Sequence, residues 1–178
     1  MKNIFIALLF ILGLYGVSYA QLAPQNEIKW MSIQEALKLQ KTAPKKIFID
    51  VYTDWCGWCK RMDATTYKDQ DVVNFMNKYF YAVRFNAEKK DSIEYKGKYY
   101  TSKPDSKVND LAVYFLNEKM SYPTSVFLTE VGDLIQPIPG FHEANDMLMF
   151  LTFIGGDMPR FTTWENYQQI FKIIRNKD

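Results

Sequence analysis

Histidine and cysteine are scarce in this chain of 178 residues, which contains one histidine and two cysteines. Two cysteines are too few for a disulfide framework, and with one histidine they cannot complete a common four-ligand zinc site. An excess of one charge is also lacking, because 22 basic residues stand against 20 acidic ones. A protein so close to neutrality has no overall positive field to hold a phosphate backbone. We therefore expect neither nucleic acid as a partner nor a metal ion or organic cofactor.

Glycine and proline are few as well, with 8 and 7 residues, whereas 48% of the chain is hydrophobic and 24% is charged. This composition excludes collagen-like and disordered chains and is typical of one globular domain. The N-terminus is different: residues 4–17 carry no charge, a basic head precedes them, and the small residues Ser18 and Ala20 follow. The pattern predicts a cleaved secretory signal at 1–20 and a single domain at 21–178.

The alternative for this N-terminal segment is an uncleaved membrane anchor. Its apolar run of 14 residues is shorter than the ~20 residues that a spanning helix needs, so the signal is favoured. No cysteine follows the run, which excludes lipid attachment there. Export would place the protein in the periplasm or outside the cell, where an oxidising environment allows cysteines to form disulfides.

Hydrophobic periodicity predicts an α/β fold, a mixed sheet with helices on both faces. Helices are expected at 33–40, 72–79, 108–117, 143–154 and 164–174, and strands at 47–52, 80–86, 125–128 and 134–138. A capping box at Ser32 and Glu35 marks the start of the first helix. The polar segment 87–107 has the pattern of an insertion that contains a small hairpin at 93–100. Asp50 interrupts the otherwise apolar strand 47–52, where a carboxylate is costly unless it is partnered or functional.

Cys56 and Cys59 follow that strand directly, in the motif Trp55-Cys56-Gly57-Trp58-Cys59-Lys60. Two cysteines three apart at a strand-to-helix junction lie on one side of the first helical turn, close enough to form a disulfide. The first sulfur then lies at the helix N-terminus, where unpaired N–H groups lower the pKa of a thiol. This arrangement favours Cys56 as the nucleophile of disulfide exchange and Cys59 as the resolving thiol.

The motif and the later tripeptide Tyr122-Pro123-Thr124 resemble the thioredoxin-like superfamily, and most closely the single-domain exported bacterial thioredoxins with a W-C-G-W-C-K motif. The resemblance covers most of residues 28–155. It implies a three-layer α/β/α sandwich and a thiol:disulfide oxidoreductase. It also implies that Pro123 is cis, shapes the substrate groove and keeps metal from the thiols, and that the backbone of Tyr122 pairs with an extended substrate.

The resemblance further implies that Asp50 is a buried acid that accepts a proton from Cys59. It places Arg84 beside that acid, although a solvated charge on the strand is an equal alternative for Arg84. Trp55, next to the nucleophile, is expected to restrict access to it. Trp58 stands where cytosolic thioredoxins have proline, so the redox direction stays open, and Asp50 with the Trp-Cys-Gly start favours a reductant or isomerase.

The expected partners are exported proteins with disulfides and a membrane thiol reductase that supplies electrons to a monomer. Two other functions remain open: a Cu(I)-binding module that uses the two thiolates, and an interaction domain with an inert disulfide. The insertion at 87–107 and the extension at 160–178 are expected to cover apolar surface rather than recognise a partner. His142 is expected to have a structural or surface role, and solvated charges are expected at lysines 41, 45, 46, 89, 90, 96 and 98.

Overall fold

The computed structural model describes residues 27–175. The secretory signal predicted for residues 1–20 lies outside the described residues. Within residues 27–175, no helix is long and apolar enough to cross a bilayer.

Seven strands and six helices make up the described part of the chain. The strands are β1 (Trp30–Met31), β2 (Lys46–Tyr52), β3 (Phe80–Asn86), β4 (Ile93–Tyr95), β5 (Lys98–Tyr100), β6 (Thr124–Leu128) and β7 (Leu134–Pro139). The helices are α1 (Ile33–Gln40), α2 (Gly57–Ala64), α3 (Gln70–Tyr79), α4 (Asp110–Phe115), α5 (Ala144–Gly155) and α6 (Trp164–Arg175). Short 3-10 turns follow α2 at Thr66–Lys68 and α5 at Met158–Arg160.

The main sheet has five strands in the order β1-β3-β2-β6-β7. The pairs β1–β3 and β3–β2 are parallel, whereas β2–β6 and β6–β7 are antiparallel. The predicted mixed sheet is therefore confirmed. β2 lies at its centre and leads directly into the cysteine motif, so a strand buried at six of its seven residues positions the site.

Alternate side chains of β2 enter two separate hydrophobic cores. Ile47 and Ile49 join a cluster that includes α1 and α4, whereas Phe48 joins a cluster that includes α2, α3 and α5. Because successive residues of a strand point to opposite faces, both faces of the sheet carry helices. This arrangement confirms the predicted three-layer α/β/α sandwich.

The first helix begins where the sequence predicts. The hydroxyl of Ser32 accepts a hydrogen bond from the Glu35 amide at 3.2 Å, and the Glu35 carboxylate accepts one from the Ser32 amide at 2.8 Å. The reciprocal pair satisfies two N–H groups that the helix leaves unpaired. The capping box is therefore confirmed.

The insertion at 87–107 contains the predicted hairpin, formed by β4 and β5. Its turn residues Lys96 and Gly97 have φ values of 52° and 74°, the left-handed conformation that glycine adopts without steric cost. Ile93 and Tyr95 are buried, and the Tyr95 hydroxyl donates a hydrogen bond to the Gly132 carbonyl at 2.6 Å. The hairpin therefore covers apolar surface at one end of the sheet.

Lys46 is not the solvated charge that the sequence predicts, because it begins the central strand β2. Its side chain is only 9% exposed and forms ion pairs with Glu130, at 3.1 Å, and with Asp157. Glu130 lies in the β6–β7 turn and Asp157 follows α5. Two carboxylates from distant parts of the sequence thus form ion pairs with the ammonium group of Lys46. The spacing of residues along the sequence does not predict such contacts.

The C-terminal extension forms α6, as predicted, and packs against α5. Tyr167 is its buried residue: its ring lies 5.1 Å from that of Phe153, and its hydroxyl donates a hydrogen bond to the Thr152 hydroxyl at 2.7 Å. Trp164 adds a ring stacked 5.1 Å from Phe150. The extension therefore covers the outer face of α5.

Replacing Tyr167 should show how much this cover stabilises the fold. Tyr167→Ala is expected to lower the free energy of unfolding by about 3 kcal/mol, since it leaves a cavity where a buried aromatic ring packs. Tyr167→Phe removes only the hydroxyl and should cost about 1 kcal/mol. Urea unfolding measures both changes. Ile173→Ala, on the exposed side of the same helix, is the matched control. An equal loss of unfolding free energy in Tyr167→Ala and Ile173→Ala would show that the packing of Tyr167 against α5 does not stabilise the fold.

Candidate active site

Cys56 and Cys59 form a disulfide at the start of α2, and their Cα atoms are 5.3 Å apart. Cys56 is the N-cap residue of the helix, and its Sγ accepts a hydrogen bond from the Cys59 amide at 3.1 Å. Both side chains are almost fully buried, at 4% and 3% exposure. In the dithiol form, the same amide and the helix N-terminus lie where they stabilise a thiolate on Cys56.

Two tryptophans stand beside the disulfide with their rings exposed, at 66% for Trp55 and 58% for Trp58. The Trp55 ring lies 5.9 Å from the ring of Tyr122, and its Nε1 donates a hydrogen bond to the Glu88 carboxylate at 3.1 Å. The Trp58 ring lies 5.4 Å from that of Phe141. Contacts from other parts of the chain thus hold both rings in place.

The peptide bond between Tyr122 and Pro123 is cis, which confirms the prediction, and Pro123 is buried. The two residues precede β6, which pairs with β2 in an antiparallel arrangement. Through the contact of Tyr122 with Trp55, this segment lies against the cysteine motif. Burial, and then the charge of Glu88, raises the pKa of Tyr122, so its hydroxyl stays protonated.

Asp50 is buried in the centre of the sheet, with 1% exposure. Burial raises the pKa of its carboxyl group to about 7, against the opposing charge of Arg84, and the nearby charge of Asp63 adds to the rise. Within the described residues, its Oδ1 has no hydrogen-bond partner. A carboxyl group with these properties can take up and release a proton near neutral pH.

Arg84 lies beside Asp50, so the alternative of a solvated strand charge is wrong. Its Nε is 3.1 Å from Asp50 Oδ2, and the two residues are register partners on β3 and β2. Its two terminal nitrogens donate hydrogen bonds to the Asp63 carboxylate at 2.5 and 3.1 Å. The guanidinium also lies 4.4 Å from the centre of the Tyr52 ring and 5.2 Å from that of Trp30.

His142 has the structural role that the sequence predicts. It is half-buried, its ring packs 5.0 Å from that of Phe150, and its carbonyl accepts a hydrogen bond from the Thr66 hydroxyl at 2.6 Å. Burial lowers the pKa of its imidazole. In residues 27–175, no group of three or more His, Cys, Asp and Glu side chains could hold a metal ion.

Sequence reasoning did not find several residues that the structure brings to the site. Asp63 was detectable, because it lies four residues after Cys59 and helical spacing puts both on one face of α2. Glu88 and Phe141 gave no signal, since they reach the tryptophans from separate loops. Tyr67 gave none either; its buried hydroxyl faces Asp50 and Ser125.

A disulfide at the junction of a central strand and a helix, beside a cis-proline and a buried acid, defines the thioredoxin-like class of proteins. Comparison with known families agrees with this class. The model of the family described as Thioredox_DsbH, protein of unknown function, DUF255, matches residues 15–141, and the chain belongs to this family.

Solved structures show the same fold. A thioredoxin-fold protein from Helicobacter pylori superposes with a TM-score of 0.60 at 15% identity, over 88% of this chain and 97% of its own. A candidate disulphide-isomerase from Bacteroides thetaiotaomicron has a TM-score of 0.51 at 25% identity, over 71% of this chain and 89% of its own. A DsbH oxidoreductase has a TM-score of 0.51 at 18% identity, over 77% and 92%.

A curated relative, an uncharacterized protein of Archaeoglobus fulgidus, is 31% identical over 88 residues, which are 49% of this chain and 68% of that protein. With its family and its Cys56–Cys59 pair, the chain is a thioredoxin-like thiol–disulfide oxidoreductase.

Proposed function

We propose that the protein is exported and that its Cys56–Cys59 dithiol reduces or isomerises disulfides in exported proteins. The observation that carries the proposal is the position of Cys56 at the N-cap of α2, with its Sγ bound by the Cys59 amide. The predicted signal at 1–20 and membership of the DsbH family support export.

The reaction begins with the reduced protein. The Cys56 thiolate attacks one sulfur of a substrate disulfide, a new bond joins Cys56 to that sulfur, and the other substrate sulfur leaves as a thiolate that takes up a proton. Cys59 then gives its proton to Asp50, and its thiolate attacks Cys56 Sγ. The mixed disulfide breaks, the second substrate thiolate leaves and takes up a proton, and the Cys56–Cys59 disulfide forms. Two electrons pass from the protein to the substrate; Cys59 supplies one of the two protons through Asp50, and solvent supplies the other because Cys56 reacts as a thiolate.

Asp50 is the proton acceptor in this scheme, because its pKa of about 7 lets it exist as a base at neutral pH and still bind a proton readily. Arg84 supports it by placing a positive charge 3.1 Å from its Oδ2. The Arg84 guanidinium itself stays charged and does not carry the proton.

The residues around the pair control access to it. Gly57 leaves open space beside Cys56, because a Cβ there would meet no atom within 4 Å. Trp55 and Trp58 limit approach from either side, and Tyr122 and Pro123 form the wall of the substrate groove. In this position Pro123 also keeps metal ions from the thiols.

The proposed direction is reduction or isomerisation, in keeping with the description of the Bacteroides thetaiotaomicron protein as a candidate disulphide-isomerase. Each reductive turnover leaves the protein oxidised, so a membrane thiol reductase is proposed as the electron donor to a monomer. The redox-active disulfide takes the place of an organic cofactor.

The proposal is tested with the reduced protein of residues 21–178 and a protein substrate that contains non-native disulfides. We expect Cys56–Cys59 to become oxidised while two substrate thiols appear, and mass spectrometry after alkylation counts both. Recovery of native substrate without net thiol release identifies isomerisation. If the reduced protein leaves the substrate disulfides unchanged, it neither reduces nor isomerises disulfides, and the proposal is contradicted.

A further inference from the structure

Two aromatic platforms flank the cysteine pair. One carries a negative charge and the other a positive charge. The first platform consists of Trp55 and Tyr122, and the second of Trp58 and Phe141. Glu88 lies at the edge of the first, with its Oε1 hydrogen-bonded to Trp55 at 3.1 Å. Trp55 and Trp58 are exposed, Tyr122 and Phe141 are half-buried, and the disulfide is almost fully buried, so a partner must contact the platforms to reach Cys56.

The second platform carries the positive charge. The Arg61 guanidinium lies 5.8 Å from the centre of the Trp58 ring and 5.6 Å from that of Phe141. Arg61 and its neighbour Lys60 are both exposed. The site is therefore apolar in the middle, acidic on the side of Trp55 and basic on the side of Trp58.

We propose that this surface binds a polypeptide segment in one preferred direction, with apolar residues near its cysteine, a basic residue toward Glu88 and an acidic residue toward Arg61. The inference rests on the proposed function and adds the substrate class. Charge complementarity selects a polypeptide over a small disulfide compound, because only an extended chain reaches both edges while its cysteine meets Cys56. The aromatic rings supply apolar contact area, and the two edge charges determine direction.

The test uses two peptides of identical composition, Lys-Phe-Cys-Phe-Glu and Glu-Phe-Cys-Phe-Lys, each carrying a chromophoric thiol on its cysteine as a mixed disulfide. The reduced wild-type protein should react with one of them with a kcat/KM about fivefold higher than with the other, an effect of the size of two exposed ion pairs. The preference should weaken in high salt, because Arg61 is exposed and Glu88 is only half-buried, so salt screens both charges.

The double variant Glu88→Lys, Arg61→Glu should prefer the other peptide, since the two edge charges have exchanged places. Its matched control is Glu165→Lys, Lys172→Glu, which exchanges two exposed charges on α6 and should keep the wild-type preference. Equal rates for the two peptides, or a preference that the exchange does not reverse, would overturn the inference. Faster reduction of a small uncharged disulfide than of either peptide would also overturn it.

Failure of the proposed function gives a different result. If the reduced protein reacts with neither peptide nor the small disulfide, the oxidoreductase activity itself is absent. If it reacts with both peptides equally, the activity stands and only the directional surface is wrong.

A separate observation concerns the buried acid. Arg84 Nε lies 3.1 Å from Asp50 Oδ2, yet in the described part of the chain this N–H makes no hydrogen bond. The other N–H groups that face a carboxylate are taken by Asp63. Asp50 therefore has a positive charge close by but receives no directed hydrogen bond from it.

We further infer that Asp63 is a positioning residue, which holds the guanidinium of Arg84 so that Asp50 keeps a free oxygen for an incoming proton. Without Asp63, Arg84 can turn its terminal N–H groups toward Asp50, and a hydrogen-bonded carboxylate is a weaker base. The groups that face Asp50 are Arg84 on β3, Asp63 on α2, Tyr67 in the 3-10 turn after α2 and the neutral Ser125 on β6.

Asp63→Asn tests this role through the pH dependence of the second step, the release of substrate from the mixed disulfide. The acidic limb of this pH profile should move to lower pH by roughly one unit. The variant loses the negative charge of Asp63 and the hydrogen bonds that position Arg84, and both losses lower the pKa of Asp50. Asp63→Glu should restore most of the wild-type profile. The control is Asp54→Asn, which neutralises an exposed carboxylate beside the cysteine motif. An unmoved limb in a folded Asp63→Asn variant, or a shift to higher pH, would overturn the inference.

Discussion

Cys56→Ser is expected to reduce disulfide exchange to the uncatalysed background rate. The hydroxyl of serine is not ionised near neutral pH, so the group that the N-cap position stabilises is lost. Cys59→Ser should behave differently: Cys56 still attacks, but no thiol remains to release the substrate, and a mixed disulfide with one substrate molecule accumulates. Non-reducing electrophoresis and mass spectrometry detect that complex.

The two serine variants are matched controls for each other, because they make the same chemical change three residues apart. An inert structural disulfide predicts no mixed disulfide in either variant. A complex that forms through Cys59 in Cys56→Ser would reverse the roles of the two cysteines. Either result would contradict the assignment of Cys56 as the nucleophile.

Asp50→Asn should both slow the reaction and stabilise the fold at alkaline pH. The amide cannot accept the proton of Cys59, so release of substrate should slow roughly a hundredfold at pH 7, a typical contribution of a general base. The effect on stability follows from linkage. The folded-state pKa of about 7 lies above the ordinary value of 3.8, so the folded state binds this proton more tightly than the unfolded state does.

Stability that comes from protonated Asp50 is therefore fully present below pH 4 and is lost as the pH rises through 7. The loss amounts to at most about 4 kcal/mol, and the neutral asparagine avoids it. Urea unfolding of both proteins between pH 4 and pH 8 should show a difference that grows with pH in favour of Asp50→Asn. Asp54→Asn, an exposed carboxylate, should show no such trend, and a flat difference for Asp50→Asn would mean that Asp50 is ionised throughout.

The sequence allowed the prediction of those parts of the fold that depend on local signals. The nearly continuous apolar, β-branched run of β2, the capping box of α1 and the Lys-Gly turn at 96–97 each belong to one short segment, and each forms as expected. Likewise, the cysteine spacing and the Tyr122-Pro123 pair are local motifs, and the structure brings them together at the centre of the sheet.

The features that sequence reasoning missed depend on contacts between distant segments. Lys46 is buried because Glu130 and Asp157 approach it from two other loops. The environment of Asp50 depends in part on Asp63, which lies 13 positions away in the sequence and was not predicted. Phe141 reaches Trp58 from the far end of the sheet's last strand. Periodicity does not indicate such contacts: the resemblance placed Arg84 beside Asp50, but Asp63 and Tyr67 were not predicted.

The reduction potential of the Cys56–Cys59 pair tests the central claim most directly. The protein is equilibrated with dithiol buffers of known potential, and the fluorescence of Trp55 and Trp58 reports the fraction oxidised. A reductant or isomerase should lie between about −270 and −180 mV, the range from thioredoxin to protein disulfide isomerase. A value below about −300 mV would identify an inert structural disulfide, and one near −120 mV a strong oxidant, and either would contradict the account.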